Sequence, residues 1–230
     1  MIQNRLSIII PSLNEAASIG HLLASLQPLR QAGHEVVLVD GGSHDGTVRI
    51  AEPLVDQLLC SAAGRATQMN RGAAAANGSL LWFVHADTEL PAGAAEAILS
   101  GVLSGAVWGR FDVRLSGSHP LLRMVAFVMN LRSRWTGIAT GDQAIFVRRD
   151  RFDNVGGFPE IPLMEDIALS KRLKRIGKPL CLYLKLTTSS RRWERRGICC
   201  TVVLMWWLRL AFALGVSPKR LAGWYLLPAR

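Results

Sequence analysis

Strands alternating with helices predict an α/β fold, a mostly parallel sheet with helices on both faces. Three observations carry that prediction: short β-branched apolar runs without polar alternation, helical apolar spacing between them, and a turn signal closing each run. Leu6–Ile10 is the first run and ends at Pro11, as expected of a strand buried on both faces. Asn14 then reads as the cap of a helix with Glu15 in its first turn, and Ile19, Leu22, Leu23 and Leu26 recur at helical spacing. Val36–Val39 is the second buried strand, closed by Asp40 and the turn Gly41-Gly42-Ser43-His44-Asp45-Gly46-Thr47. A helix and a short strand near Leu58–Cys60 should follow. Arg65–Ala76 is alanine-rich and helical, stopped at Asn77-Gly78. Leu80–Val84 is a strand closed by His85-Ala86-Asp87; Pro91 opens a helix to about Leu103, and Val107–Leu115 is a strand. Gly141–Arg149 reads as a strand and Glu165–Arg175 as a helix rich in Lys and Arg.

No repeat, low-complexity tract or linker interrupts residues 1–230, which read as one domain. Charge divides it. Residues 1–115 hold seven Arg and no Lys against ten acids, net −3, whereas residues 116–230 hold 20 basic residues against seven acids, net +13. Arginine makes up 22 of the 27 basic residues, and its planar fork suits phosphate. A phosphorylated small molecule and an anionic membrane face both fit such a field. Nucleic acid does not, because zinc-finger spacing, an aromatic RNA-binding strand and a basic heptad helix are all lacking.

Ile198–Val216 is 19 residues long and apolar except for Thr201, Arg209 and Gly215. A central Arg costs about 2.5–3.5 kcal/mol on insertion scales, which argues against a span. Trp206, Trp207, Trp224 and Tyr225, flanked by Arg195, Arg196, Lys219 and Arg220, suit a helix lying in a membrane interface. Burial against the domain or against a second copy in a homodimer is the competing reading, and Pro120–Trp135 shares the same two-faced composition. Cys60, Cys181, Cys199 and Cys200 form no C-x-x-C pair and read as buried, reduced thiols of a cytoplasmic protein. Met1 runs almost directly into an apolar strand, so no secretion signal is expected.

Chemistry should gather where the strands end, because ligands of open α/β sheets sit beyond the carboxyl edge. Asp40, Asp87 and the pair Glu165-Asp166 are the carboxylates in such positions. The glycines after Asp40 let backbone approach a bulky ligand, although the turn is neither a Walker loop nor a dinucleotide fingerprint.

Ile8-Ile9-Ile10-Pro11-Ser12-Leu13-Asn14-Glu15, Val39 to Thr47, His85-Ala86-Asp87, and Gly156-Gly157-Phe158 followed by Glu165-Asp166 resemble, in order and spacing, the family-2 glycosyltransferases of GT-A fold. Gly64 to Gly72, Gly141-Asp142-Gln143 and Ser190-Arg191-Arg192-Trp193 look like a smaller bacterial subgroup linked to arsenosugar biosynthesis. The resemblance implies inverting, metal-dependent transfer from a nucleotide diphosphate sugar, a uridine one, to an acceptor hydroxyl, with Mn²⁺ or Mg²⁺. Residues 1–115 would be the nucleotide-sugar half, 116–196 the acceptor half and 197–230 an apolar helical extension, in a cytoplasmic protein peripheral to the inner membrane face. Asp166 matches the catalytic base, Asp87 the metal-binding aspartate, and Asp40 the contact to the nucleobase, with a helix cap as its structural alternative. His85 stands where the family has its first aspartate and becomes a second metal ligand or a packed ring. Substrate contacts are implied at Pro11, Asn14, Glu15, Gly42, Asp45, Arg65, Asn70 and Ala86, and at Asp142, Glu165, Arg191 and Trp193. Ser189 replaces the Gln of the processive motif, so processivity is not implied. The rivals are a nucleotidyltransferase, whose glycine- and Arg/Lys-rich first loop is missing, and an inactive membrane-surface scaffold.

Overall fold

The structure, a computed structural model, describes residues 5–226, with side chains through Tyr225. The N-terminal reading at Met1 lies outside the described residues.

Eight strands form one sheet in the order β3-β2-β1-β4-β7-β6-β8-β5: β1 Leu6–Ser12, β2 Glu35–Asp40, β3 Gln57–Cys60, β4 Leu80–Phe83, β5 Thr88–Glu89, β6 Trp108–Leu115, β7 Phe146–Arg148 and β8 Leu180–Thr188. The helices are α1 Ile19–Gln31, α2 Thr47–Ala51, α3 Arg65–Ala75, α4 Ala94–Leu103, α5 Pro120–Thr136, α6 Arg149–Asn154, α7 Glu165–Leu173, α8 Arg191–Arg196, α9 Ile198–Ala213 and α10 Pro218–Leu226. β1, β2, β3 and β4 pair in parallel, as do β6 and β8. β7 runs antiparallel to both β4 and β6, and β5 runs antiparallel to β8.

Every residue of β1, β2 and β4 is buried, and alternate side chains enter opposite cores. Ile8, Ile10, Val36, Leu38 and Trp82 meet α1 and α4 on one face. Ile9, Val37, Val39, Leu81 and Phe83 meet α3, α6 and α7 on the other. Gly72 lets α3 lie close to the sheet, since a Cβ there would sit 2.5 Å from Ile9 Cγ2. Parallel register places Ser12 opposite Asp40 and Ile9 opposite Phe83, so the turns after β1, β2 and β4 emerge along one edge.

Several expectations change. Asn14 does not cap α1: Ser18 occupies that position, and Asn14 and Glu15 precede the helix. The expected strand over 141–149 is a 3-10 turn at Gly141–Gln143, and only Phe146–Arg148 pairs, because Ala144 takes a left-handed φ of 45°. β8 was not foreseen; much of it is only half-buried and its sequence carries little alternation. Cys60, Cys199 and Cys200 are exposed rather than buried, since all lie on an edge strand or an outer helix face. Among the described residues, no helix is long and apolar enough to cross a membrane. Instead α9 and α10 lay Leu208, Ala211 and Leu221 against Met164 and Ile167, leaving Trp206 and Trp207 more than half exposed.

Candidate active site

The turns after β1 and β2 are laced together. Asn14 N donates to Ser43 Oγ at 2.8 Å, and His44 N donates back to Asn14 Oδ1 at 2.9 Å. Glu15 N donates to Thr47 Oγ1, and Ala16 N to Asp45 Oδ2. Asp40 is buried and accepts from Gly42 N, Ser43 N and the hydroxyls of Ser43 and Ser12. Burial alone would raise its pKa; these donors outweigh burial and hold the carboxyl below its usual range. Four acceptances fill the carboxylate, so Asp40 organises its turn, and a nucleobase contact requires one hydroxyl to turn away. Gly42, at φ +95°, is exposed with open space where a Cβ would point. Gln68, which sequence reading passed over, bridges Ser12 O and Val39 O at 2.8 Å each and fixes the two strand ends.

The turn after β4 brings a second group. Asp87 is half-buried, and Arg191 Nη2 lies 3.8 Å from its Oδ2 and 3.2 Å from Glu15 Oε2. Burial, with Asp142 and Glu15 adding to it, raises the pKa of Asp87 against the opposing effect of His85 and Arg191. His85 Nδ1 is 3.4 Å from Asp142 Oδ1. Gly141 lies flat against the His85 ring: a Cβ there would sit 2.6 Å from Nε2. Burial opposes ionisation of Asp142, but the His85 contact and then Arg65 and Arg192 pull its pKa down to about 2.

Gly141 connects this group to the third. Its N–H donates to Asp166 Oδ2 at 2.8 Å, and Ile167 N donates to Oδ1 at 2.6 Å. Met164, left-handed at φ 70°, turns the chain into α7 so that Glu165 and Asp166 stand in its first turn. Glu165 is buried; burial and the neighbouring Asp166 raise its pKa, partly offset by Arg65 and His85. His85, Gly141, Glu165, Asp166, Met69 and Phe158 line one narrow recess. Asp166 opens into this recess, whereas Asp87, two residues beyond His85, is not part of its lining and reaches it only through the charges of His85 and Asp142.

Other candidates lie elsewhere or are engaged. Asn70 holds Phe158 from both ends, Nδ2 donating to its carbonyl at 2.8 Å and Oδ1 accepting from its N–H at 2.9 Å. Asp45 accepts from Thr47 and Ala16 and braces its turn. Pro11 and Ala86 are buried in the strand and its exit. Trp193 packs beside Leu115, Leu122 and Val125, turned toward α5. Arg65 opens α3 exposed, near enough to act on Asp142 and Glu165.

The donor set fits a divalent cation in a limited way. Asp87 is a hard carboxylate beside two further acids, yet no group of three or more His, Cys, Asp or Glu is placed to hold a metal among the described residues. One protein oxygen, completed by phosphate oxygens and water, is how Mg²⁺ is commonly held. His85 fits such a role poorly, with Nδ1 on Asp142 and Nε2 facing Gly141.

A parallel sheet whose turns gather acids and arginines at its carboxyl edge, extended by a mixed β6-β7-β8 portion, is the GT-A architecture. Residues 7–158 match the profile of glycosyl transferase family 2, and the chain belongs to that family. Curated relatives from Mycobacterium bovis and Mycobacterium tuberculosis, each named a PGL/p-HBAD biosynthesis glycosyltransferase, are 32% identical over 66% of this chain. The chain spans 62% of their length. Among solved structures, S. aureus TarS 1–349 in complex with UDP-GlcNAc is 20% identical with a TM-score of 0.66, covering 80% of this chain and 58% of that one. The mannosyltransferase PcManGT from Pyrobaculum calidifontis, in complex with GDP-Man and Mn2+, is 22% identical with a TM-score of 0.62, over 80% and 56%. Glucosyl-3-phosphoglycerate synthase from Mycobacterium tuberculosis, with Mn2+ and UDP, is 21% identical with a TM-score of 0.59, over 80% and 71%. At these identities the likeness is one of fold.

Proposed function

We propose that this protein transfers a sugar, with inversion, from a uridine diphosphate sugar to an acceptor hydroxyl, in a divalent-metal-dependent reaction. One observation carries the reading: Asp166 and His85 line one recess with the Gly141 turn, and Asp87, two residues beyond His85, feels the charge of His85 and Asp142. TarS with UDP-GlcNAc and the synthase with UDP and Mn2+ support a donor of this class.

Asp166 takes the proton of the acceptor hydroxyl as that oxygen attacks the anomeric carbon. The bond from that carbon to the diphosphate breaks on the opposite side, and its electron pair leaves with the diphosphate. The Gly141 and Ile167 N–H groups fix the carboxylate, leaving a lone pair on each oxygen for the incoming proton. Asp87 would hold Mn²⁺ or Mg²⁺, which when bound neutralises charge on the departing diphosphate. Arg191, exposed beside Asp87, is placed to meet the same phosphates. A cytoplasmic protein resting on the inner membrane face through α9 and α10 accounts for their exposed tryptophans, and pairing of two copies through that face is the other possibility. An arsenosugar role rests on motif resemblance alone; the mycobacterial relatives name another pathway.

Incubation with UDP-glucose, UDP-GlcNAc or GDP-mannose, with Mn²⁺ or EDTA, tests the reading. Slow release of nucleoside diphosphate from a uridine donor, stopped by EDTA, is expected. Neither release nor binding of any donor would leave a scaffold of this fold.

A further inference from the structure

α8, which carries Arg191 to the carboxylates of Glu15 and Asp87, cannot fix itself in place. It is six residues long and buries none of them, and isolated helices so short are marginal in water. Four of the six are arginines, and the pairs Arg191–Arg195 and Arg192–Arg196 set like charges at i, i+4, which repel. The ion pairs of Arg191, 3.2 Å to Glu15 and 3.8 Å to Asp87, leave its side chain half-exposed and are of a kind that contributes little. Contacts at the two ends of α8 must therefore set its position.

Its start is pinned to the end of β6: Ser190 N donates to Ser116 Oγ at 3.1 Å, and Ser190 Oγ donates to Glu194 Oε1 at 3.0 Å. Its far end is gripped by Tyr225 of α10. Arg196 Nη1 donates to Tyr225 O at 2.8 Å, and the Arg192 guanidinium lies over the Tyr225 ring, 4.3 Å from its centroid. Arg192 and Arg196 stand one turn apart, so a single residue holds one face of α8. Tyr225 itself packs with the apolar cluster of Met164, Leu208 and Leu221, which ties α8 to the body of the domain. A ring face and a carbonyl attract guanidiniums without a countercharge, so the positive field of α8 survives the grip. A carboxylate in that place would cancel part of it.

We propose that Tyr225 is a positioning residue, holding α8 so that Arg191 faces Asp87, where the diphosphate of the donor would arrive. This role rests on the glycosyltransferase reading and adds to it a task for α10, none of whose described residues lines the recess beside Asp166. Tyr225 acts through α8 and not by contact with the donor.

Calorimetry on the full chain with UDP and with UMP, each in the presence of Mn²⁺, tests the role. Tyr225→Ala should weaken UDP roughly fivefold and UMP by less than about twofold, whereas Tyr225→Phe, which keeps ring and carbonyl, should bind like the wild type. Arg191→Gln should weaken UDP roughly tenfold, and adding Tyr225→Ala should then cost less than about twofold more, because both act through one guanidinium. Losses that multiply, an unchanged UDP affinity in Tyr225→Ala or Arg191→Gln, equal losses of UDP and UMP, or a Tyr225→Phe as impaired as Tyr225→Ala overturns the proposal.

Hydrogen exchange on the ligand-free protein reads the grip without any nucleotide. Amides of residues 191–196 should exchange at least about threefold faster in Tyr225→Ala and in Arg192→Gln, with α7 and β8 unchanged. Arg192→Gln removes the ring contact from the exposed side, so it decides the matter even where Tyr225→Ala loosens the apolar cluster. Unchanged exchange over 191–196 in Arg192→Gln overturns the proposal. A wild type that binds no UDP would count against the preceding reading, and hydrogen exchange would still decide whether Tyr225 holds α8.

Discussion

Around the turns after β1 and β2 the polar groups satisfy one another. Asp40 accepts four hydrogen bonds, Asp45 braces Thr47 and Ala16, and Asn14 is bonded at backbone and side chain. Around α5, α7 and α9 the balance is different: Arg132 leaves two buried donors open, and Glu165 lies buried beside a second acid. The first region is a cradle finished before any ligand arrives. The second is left electrostatically incomplete, which is where a substrate can still contribute binding energy. The N-terminal half is also the acidic one and the C-terminal half strongly basic.

Substitutions in the two regions should differ in what they cost. Asp166→Asn should cut turnover by ~10²–10⁴-fold in a single-donor transfer assay, because only the proton acceptor is lost. Leu208→Ala should cost about 2–5 kcal/mol in urea unfolding, since the side chain is fully buried against Met164 and Ile167. Its effect on ligands should be small, because α9 packs outside the turns after β1 and β2, and UDP affinity should change by less than about threefold. A marked loss of UDP affinity would mean that α9 supports both regions alike. Asn70→Ala should cost about 1–3 kcal/mol by releasing both bonds to Phe158. Unchanged stability with weakened UDP binding would make Asn70 a ligand contact.

The smallest effects concern pH and have opposite signs. The depressed Asp40 stabilises the fold above the ordinary aspartate range, and that contribution is lost as pH falls through its lowered pKa. The raised Asp87 works the other way, its share of stability falling as pH rises from the ordinary value through the raised one. Asp87→Asn should therefore raise the unfolding temperature at neutral pH without metal. A lowered temperature would show Asp87 to be a structural brace.

The central strands were legible because burial on both faces leaves Ile8-Ile9-Ile10 or Val36-Val37-Leu38 no room for polar alternation. The turns at their ends could be placed for the same reason. The 141–149 segment was misread because its composition suits a strand, while a left-handed Ala144 and the contact of Gly141 with His85 are tertiary facts. Asn14 looked like a helix cap because its partners His44 and Ser43 lie about 30 residues away. Arg132 and Arg209 carry no local signal. They feel each other's charge only because α9 folds back over the start of α7.

UDP affinity in the presence of Mn²⁺, measured in parallel on the wild type, Asp87→Ala and Asp166→Asn, separates the metal-holding carboxylate from the base. Asp87→Ala should abolish the Mn²⁺-dependent part of binding, while Asp166→Asn should keep wild-type affinity despite its lost turnover. An affinity indifferent to both Asp87 and EDTA, or reduced as much by Asp166→Asn as its turnover, would contradict that assignment.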